Sequence, residues 1–210
     1  KNNSKIRLDV NAARRLMSTS VGVQAASVEA ASAIIREGSA TIDFGTANEV
    51  FYNKVQVLNR DLSIAMIAAF AEVRKEEKLA ARRRNPAKYK REAFAKHGIA
   101  EEDVDLEQWS DLRDGVNVLE ALSATGLRSV RYAKECVGIK RIVANDLDAK
   151  AAEAIERNVL ANGLQTSSPD PADGVEKSEF PPVEVSCADA SMLMCVAFFF
   201  HVEFYLIMTE

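Results

Sequence analysis

Two short segments of the chain could together hold a nucleoside. Residues 120–126 read EALSATG, an acidic residue followed by a run of small residues, and Asp146 comes 20 positions after Gly126. Small side chains let a ligand approach the backbone of a turn, and a carboxylate accepts hydrogen bonds from ribose hydroxyls. This pattern predicts a site for an adenosine-containing cofactor beyond the carboxyl ends of the strands.

The single glycine of this turn narrows the class of cofactor. A GxGxxG turn exposes enough backbone to bind a pyrophosphate, and residues 120–126 lack that pattern. S-adenosylmethionine, which has no diphosphate, therefore fits better than a nicotinamide dinucleotide. Purely structural roles for these residues stay open. Residues 123–126 could form an ordinary tight turn, and Asp146 could cap the next helix, a role equally open to Asp148.

Three more side chains are candidate contacts for such a cofactor. Arg60 and Arg128 carry guanidinium groups, which suit the carboxylate of a methionine moiety. The alternative for Arg60 is a surface ion pair with Asp61 or another carboxylate, and Arg128 has a similar choice. Asp189 follows a predicted third strand. There it could accept a hydrogen bond from an adenine amino group or cap a helix.

Alternating strands and helices would position these residues. Predicted strands cover residues 116–122, 141–145 and 183–187, and predicted helices cover residues 129–135 and 149–162. This alternation predicts an α/β fold with a parallel sheet and right-handed crossovers.

Other elements are predicted on either side of this unit. Residues 28–37 are predicted to form a short helix that ends at Gly38, residues 39–44 a weak strand, and residues 62–73 a helix with one apolar face. Residues 192–200 form an apolar run that is too short to span a membrane. They are predicted to be a core strand or a tail.

The net charge of −4 conceals two adjacent stretches of opposite sign. Residues 72–96 contain ten Lys and Arg against four acids, and residues 97–115 contain seven acids and one arginine. The basic stretch is predicted to be a surface helix interrupted at Pro86, and the acidic stretch a loop. The basic stretch is either a patch that contacts RNA phosphates or a solvated helix face that the acidic stretch neutralises. The candidate RNA-binding residues are Arg82, Arg83, Arg84, Lys88, Lys90 and Arg91.

The remaining composition is that of an ordinary soluble globular protein. Apolar residues make up 48% and charged residues 28% of the chain, which excludes a disordered tail or a disulfide-rich miniprotein. Cys136, Cys187 and Cys195 have no metal-ligand spacing, so we expect free, buried or half-buried thiols in a reducing compartment and no metal. Residues 1–27 resemble a transit segment or a solvated leader.

Five segments carry a resemblance to a known family. They are residues 37–44 (EGSATIDF), 49–63 (EVFYNKVQVLNRDLS), 118–135 (VLEALSATGLRSVRYAKE), 143–163 (VANDLDAKAAEAIERNVLANG) and 188–194 (ADASMLM). In order and spacing they resemble the tRNA (guanine-26-N2)-dimethyltransferase family, whose members are class I S-adenosylmethionine-dependent methyltransferases.

The resemblance implies a Rossmann-like sheet and methylation, first single and then double, of the exocyclic N2 of guanine 26 in tRNA. It also implies a nuclear or a mitochondrial protein, because residues 74–115 resemble the charged insertion of eukaryotic members. The cofactor contacts implied by the resemblance are Arg60, Arg128, Asp146, Asp189 and Ala190.

Two departures from the family pattern matter. Lys54 follows Asn53, where the family has proline. After Met194 the sequence reads CVAFFFHVEFYLIMTE, without the Asp-Pro-aromatic-Gly motif that the family places after its fourth strand to hold the guanine amino group. We expect the cofactor half-site to form in a sheet that lacks later strands and exposes an edge, and turnover by this chain is in doubt.

The chain is thus predicted to have five segments. They are a flexible leader (1–27), an N-terminal family segment (28–73), the charged insertion (74–115), a partial cofactor-binding core (116–194) and a divergent tail (195–210). An alternative function is that of a non-catalytic RNA-binding or regulatory fragment acting through residues 74–96. A third possible function is that of a nicotinamide-dependent oxidoreductase. No membrane partner is expected, and the sequence predicts no oligomeric state.

Overall fold

A short antiparallel hairpin begins the part of the chain that the computed structural model describes. Its strands, β1 (Ile34–Glu37) and β2 (Ala40–Asp43), pair with Ile35 opposite Ile42. β2 confirms the strand predicted over residues 39–44. The described residues are 34–45, 52–108, 114–166, 178–199 and 204–207.

The helix predicted over residues 28–37 is wrong for the four residues of β1. The rest of that prediction and the leader at residues 1–27 lie outside the described residues. The backbone of β2 is held from far along the chain: Asn162 Oδ1 accepts a hydrogen bond from Thr41 N at 3.0 Å, and Asn158 Oδ1 accepts another from β2 at 2.8 Å. Tertiary bonds of this kind override a local helical pattern.

A long helix follows the hairpin. A 3-10 turn, Lys54–Gln56, leads into α1 (Val57–Arg84), which extends beyond both ends of the helix predicted over residues 62–73. Ion pairs one turn apart, such as Arg74–Glu77 at 2.6 Å, support its polar second half. The early start places Arg60 in the first turn of α1 and not before the helix.

A second helix, α2 (Pro86–His97), begins immediately after Asn85. The Asn85 side chain accepts a hydrogen bond from Lys88 N at 3.2 Å, and a proline is well suited to the first helical position because its missing N–H has no partner there. The predicted interruption at Pro86 is therefore confirmed. In the acidic stretch, residues 98–108 form a loop with one 3-10 turn, Glu101–Asp103.

A four-stranded parallel sheet forms the centre of the described fold. Its elements are β3 (Val116–Glu120), α3 (Leu127–Glu135), β4 (Ile139–Asp146), α4 (Ala149–Ala161), β5 (Val183–Cys187), α5 (Ala190–Phe199) and β6 (Phe204–Ile207). The strand order is β5-β4-β3-β6, and every neighbouring pair is parallel. The α/β, Rossmann-like fold is therefore confirmed, and the carboxyl ends of the strands meet at one edge, where such sheets bind ligands.

The last two elements differ from the sequence expectation. Most of the apolar run at residues 192–200 lies in α5 and not in a core strand. β6 then pairs with β3, with Leu206 opposite Leu119, so the sheet has one strand beyond the three predicted, and β5 and β6 are the edge strands of the described sheet. A parallel neighbour requires a crossover connection, and the apolar run supplies it as a helix.

One apolar core joins the hairpin, α1 and the sheet. Ile42, Val118, Ile142 and Ile155 are fully buried, and Ile67 of α1 packs against the same cluster. Each such side chain contributes about 2 kcal/mol by leaving water. This core fixes the positions of α1, α3 and α4 around the end of β3. Among the described helices, none is both long and apolar enough to cross a membrane.

Candidate functional site

A cleft of about 250 Å³ lies at the carboxyl ends of β3 and β4. It brings together three of the predicted cofactor contacts, namely Arg60, Arg128 and Asp146, with the turn after β3. Asp189 and Ala190 are not among its lining residues. The residues that line the cleft are Tyr52, Asn53, Gln56, Arg60, Glu120, Leu122, Ser123, Ala124, Thr125, Leu127, Arg128 and Asp146.

Asp146 holds the turn from the neighbouring strand. Its Oδ2 accepts a hydrogen bond from Ala124 N at 2.9 Å, and its Oδ1 accepts one from Asp148 N at 3.1 Å. Ala124 has φ +50°, a left-handed conformation that costs a non-glycine residue about 1 kcal/mol or more. A carboxylate offers about four acceptor positions, so two remain for a ligand.

The structure separates the two roles proposed for the acids after β4. Asp148 is the N-cap of α4, because its Oδ1 accepts a hydrogen bond from Lys150 N at 2.9 Å. Asp146 makes no cap contact with α4 and borders the cleft instead. The capping alternative therefore applies to Asp148.

Gly126 brings the turn down onto α4. Its φ is +76°, and a Cβ atom built on it would lie 3.1 Å from Cγ2 of Ile155. Gly126 N donates to Ser123 O at 2.8 Å, and Ser123 N donates to Asn145 O at 2.8 Å. The turn is thus fixed to both neighbouring elements.

Asn145, which sequence reasoning did not single out, joins the ends of three strands. Its side chain is 0% exposed. Its Nδ2 donates to Ala121 O at 3.0 Å and to Ala188 O at 2.9 Å, and its Oδ1 accepts from Ala188 N at 3.1 Å. The available signal was an amide residue after the apolar run Ile142–Ala144 of β4, directly before Asp146.

Glu120 is a second residue that the sequence reasoning did not assign to the site. It ends β3, lines the cleft and is 2% exposed. Burial raises the pKa of Glu120 to about 7, against the opposing effects of the Ser129 hydroxyl, which donates a hydrogen bond to its Oε2, and of the Arg128 charge. Near neutral pH this carboxyl group can therefore donate or accept a proton.

Arg60 lies in the wall of the cleft with its guanidinium group paired to Glu37. It is 7% exposed. Its Nε and Nη2 donate to the two carboxylate oxygens of Glu37 at 2.7 and 2.6 Å, and Nη1 and Nη2 each lie 3.2 Å from Asn53 O. The expected ion pair exists, but it is buried and is made with Glu37 instead of Asp61. Of the five N–H groups of a guanidinium, one on Nη1 has no partner in this set.

Glu37 is the centre of a buried charge network. Arg131 Nη1 donates to it at 2.9 Å, and Tyr52 Oη donates at 3.0 Å. Arg131 also bonds Asp61 and Glu135. Burial by itself would raise the pKa of Glu37, but its contacts with the two arginines and the tyrosine outweigh burial and lower it. The network ties β1 to α1 and α3, the helices that flank the cleft.

Arg128 and Asp189 occupy different surroundings. Arg128 is half-buried at the start of α3, where its charge lowers the pKa of both Glu120 and Tyr132 against the larger effect of burial. Asp189 accepts hydrogen bonds from Ser191 N at 2.8 Å and Met192 N at 3.2 Å. In this structure Asp189 therefore occupies the capping position at the start of α5.

The six candidate RNA-binding residues do not form one exposed patch. Arg82 is 3% exposed and is paired with the carboxylate of Asp114, and exposed Arg83 is paired with Glu107. Acids of the 97–115 stretch thus neutralise these two arginines, which was one of the two interpretations. Of the other four residues, Lys90 is half-buried, and Arg84, Lys88 and Arg91 are exposed.

The three cysteines are free thiols. Cys136 is buried, and burial raises its pKa to about 11. Cys187 and Cys195 are exposed, so the expectation of buried or half-buried thiols is wrong for these two. The described residues contain no group of three or more His, Cys, Asp or Glu side chains that could hold a metal ion.

Comparison with known proteins gives a consistent set of relatives. The family model of N2,N2-dimethylguanosine tRNA methyltransferases matches residues 29–204. The tRNA (guanine(26)-N(2))-dimethyltransferase of Schizosaccharomyces pombe is 42% identical over 151 residues, which cover 66% of this chain and 28% of that protein. The Homo sapiens protein of the same name is 36% identical over 176 residues, which cover 76% of this chain and 24% of that protein.

Two further comparisons complete this set. A Saccharomyces cerevisiae relative, named a mitochondrial tRNA (guanine(26)-N(2))-dimethyltransferase, is 37% identical over 143 residues. One solved structure is described as the complex of Trm1 from Pyrococcus horikoshii with S-adenosyl-L-methionine. Its match with this chain covers 77% of this chain and 32% of the Pyrococcus chain, with 24% sequence identity and a TM-score of 0.47. The chain spans about a quarter of the length of the curated relatives it matches. Since the family model covers most of its residues, the chain belongs to the N2,N2-dimethylguanosine tRNA methyltransferase family.

Proposed function

We propose that this chain binds S-adenosylmethionine in the cleft at the ends of β3 and β4, as the cofactor-binding part of an enzyme that methylates N2 of guanine 26 in tRNA. The observation that carries the proposal is the contact between Asp146 and the backbone of Ala124. It places a carboxylate with two open acceptor positions beside a turn of small residues. Relatives that carry the name of this activity support the choice of reaction.

The residues at both ends of the cleft fit this cofactor. The open acceptor positions of Asp146 suit the two hydroxyl groups of a ribose. Arg128 and the remaining N–H of Arg60 suit a carboxylate. Asp189 stays a proposed contact for the adenine and Ala190 a proposed cofactor contact, because Asp146 is paired with Cys187 across β4 and β5, two positions before Asp189.

When bound, the cofactor supplies an electrophilic methyl group on a sulfonium centre. The guanine amino group is a weak nucleophile, because its lone pair is delocalised into the ring. The protein must therefore act by positioning and by electrostatics. Glu120 lies in the cleft wall with a pKa near 7, so it can accept or donate a hydrogen bond there at neutral pH.

Calorimetric titration with S-adenosylmethionine tests the cleft. The parent chain should bind, and Asp146→Ala should weaken binding at least about tenfold, because it removes a charged acceptor. Asp148→Ala is the matched control: it removes a neighbouring acid that caps α4, so its affinity should stay within about twofold of the parent. No binding by the parent, or equal affinities of the parent and Asp146→Ala, would reject the site.

The compartment is a further proposal. The curated relatives from Schizosaccharomyces pombe, Homo sapiens and Saccharomyces cerevisiae are eukaryotic proteins, and the last is named mitochondrial. We propose a nuclear protein, with the mitochondrion as the alternative. Fluorescence microscopy of the tagged full-length gene product distinguishes the two, and a signal in neither compartment would contradict both.

A further inference from the structure

A groove of about 610 Å³ lies between the end of α1 and one face of α2, away from the cleft. Lys140, at the start of β4, closes one side. The α2 residues that line it, among them Lys88, Glu92 and Lys96, recur at intervals of four, which places them on a single helix face. Lys90 and Arg91 belong to the same helix but do not line the groove.

The groove is strongly cationic. Six Lys and Arg side chains line it against the two carboxylates of Glu92 and Asp114, which leaves a net charge of +4 before His97 is counted. The six are Lys78, Arg82, Arg84, Lys88, Lys96 and Lys140.

The cations divide between the floor and the walls of the groove. Arg82 is buried, is paired with the Asp114 carboxylate and lies 4.1 Å from the ring centre of Tyr89. Lys78 donates to the backbone oxygen of Asp114. The Asp114 carboxylate is therefore engaged in the floor. Among the described residues that line the groove, Glu92 is the one other acid that the wall cations face.

That other acid neutralises little of the wall charge. Glu92 lies 3.9 Å from Lys88, and both side chains are about half exposed or more. An exposed pair of this kind is weak and is screened further by salt. Arg84, Lys96 and Lys140 are the other wall cations.

The spread of the wall cations fits a chain of anions better than a single one. Lys88 and Lys96 are eight positions apart on α2, which corresponds to about 12 Å along the helix. A nucleic-acid strand carries phosphates at intervals along such a row, so several of these cations can each contact a phosphate.

The groove and the cleft lie at opposite ends of β4. Lys140 is the second residue of that strand and Asp146 the last, so about 20 Å separates them. Only an extended ligand could contact both surfaces. A folded RNA has that extent.

We propose that this groove binds the phosphate backbone of RNA, through Arg84, Lys88, Lys96 and Lys140. The identification of the RNA as tRNA rests on the proposed function, whereas the groove itself rests on its own charge and shape. Three of the six candidate RNA-binding residues line the groove. Arg84 and Lys88 lie in its wall, and Arg82 lies in its floor.

A pair of matched double variants tests the groove. Lys88→Ala/Lys96→Ala removes two wall cations, and Lys90→Ala/Arg91→Ala removes the same charge from outside the groove on the same helix. Binding of an unmodified tRNA transcript is measured by fluorescence anisotropy without cofactor, over a series of salt concentrations. Thermal unfolding of all three proteins checks that α2 is intact.

The groove variant should bind the transcript about tenfold more weakly than the parent, and its plot of log affinity against log salt should flatten by about one to two units. The control variant should stay within about twofold of the parent. Equal losses in both variants would overturn the proposal, because they would indicate attraction by net charge alone. An unchanged affinity of the groove variant would overturn it as well.

Cofactor titration of the same samples separates this proposal from the proposed function. A groove variant that loses RNA but binds S-adenosylmethionine like the parent supports the groove. If none of the proteins binds the cofactor while the two variants still differ in RNA affinity, the groove is supported and the cleft assignment fails.

Discussion

The Oδ2 atom of Asp146 lies 2.9 Å from the backbone nitrogen of Ala124, which is 22 positions earlier in the sequence. The bond crosses from the end of β4 to the turn after β3. Ala124 has φ +50°, a left-handed conformation, and its N–H donates to the acid. One carboxylate therefore both shapes the turn and faces the cleft.

The packing of Gly126 on α4 gives the first prediction. Gly126→Ala should lower the free energy of unfolding by about 2 to 3 kcal/mol, because the new Cβ would meet Ile155 at 3.1 Å and the φ of +76° disfavours any side chain. Gly163→Ala is the control. Its φ is +74° with no atom within 4 Å of the built Cβ, so it should cost only about 1 kcal/mol. Urea unfolding of both variants measures the difference, and equal losses would contradict the packing argument.

The buried carboxyl of Glu120 gives a prediction about pH. Burial raises its pKa from 4.5 to about 7, so the folded chain holds this proton over a range in which the unfolded chain has lost it. The contribution of Glu120 to stability therefore falls as the pH rises from about 4.5 to about 7, by about 3 kcal/mol in all, and is constant above.

The variant Glu120→Gln removes this titration. Its free energy of unfolding relative to the parent should rise by about 2 kcal/mol between pH 5 and pH 8. Urea unfolding at a series of pH values measures it. Parallel pH profiles of the two proteins would contradict a raised pKa for Glu120.

The charge network around Glu37 predicts a large loss of stability. Glu37→Ala leaves the buried arginines Arg60 and Arg131 without their shared partner and should cost about 3 to 5 kcal/mol. Because the arginine contacts lower the pKa of Glu37 against the effect of burial, this contribution is present above the unfolded pKa and is lost as the pH falls through the folded value.

A half-exposed ion pair elsewhere in the sheet provides the control. Arg141 and Glu184 lie 3.4 Å apart with side chains that are 32% and 35% exposed. Glu184→Ala should cost less than about 1 kcal/mol. If both variants unfold at the same urea concentration, the buried network does not stabilise the hairpin as described.

The hydrogen bonds of the Asn145 side chain join the strand ends that border the cleft, so we expect the stability of the fold to depend on this one amide. Asn145→Ala leaves the carbonyl oxygens of Ala121 and Ala188 without this amide, while Ala188 N keeps its bond to Asp146 O, and should cost about 2 to 3 kcal/mol. Asn85→Ala, which removes the cap of α2, should cost about 1 kcal/mol. Thermal unfolding compares the two, and an Asn145→Ala variant as stable as Asn85→Ala would contradict the role of Asn145.

The parts of the fold that depend on local order could be predicted from the sequence. Strand β3, the turn with Gly126, helix α3 and strand β4 follow one another within about 30 residues, and each has its own apolar period or turn residue. The same spacing predicted that Asp146 would lie beside the turn. The structure places it there.

Features that depend on distant partners could not be predicted in this way. β1 is a strand because β2 pairs with it, and β2 is held by Asn158 of α4 and by Asn162, the residue after α4, 115 and 121 positions away. The pairing of Arg60 with Glu37 and the burial of Arg82 against Asp114 likewise join segments that only the fold brings together.

The most direct test of the central claim is an amide NMR titration of the chain with S-adenosylhomocysteine, the demethylated form of the proposed cofactor. The account predicts that the amide signals of Ala124, Gly126 and Asp146 shift with a common affinity, while those of Lys88 and Lys96 in the basic groove do not. Shifts confined to the groove, or no shift at the turn under saturating ligand, would contradict it.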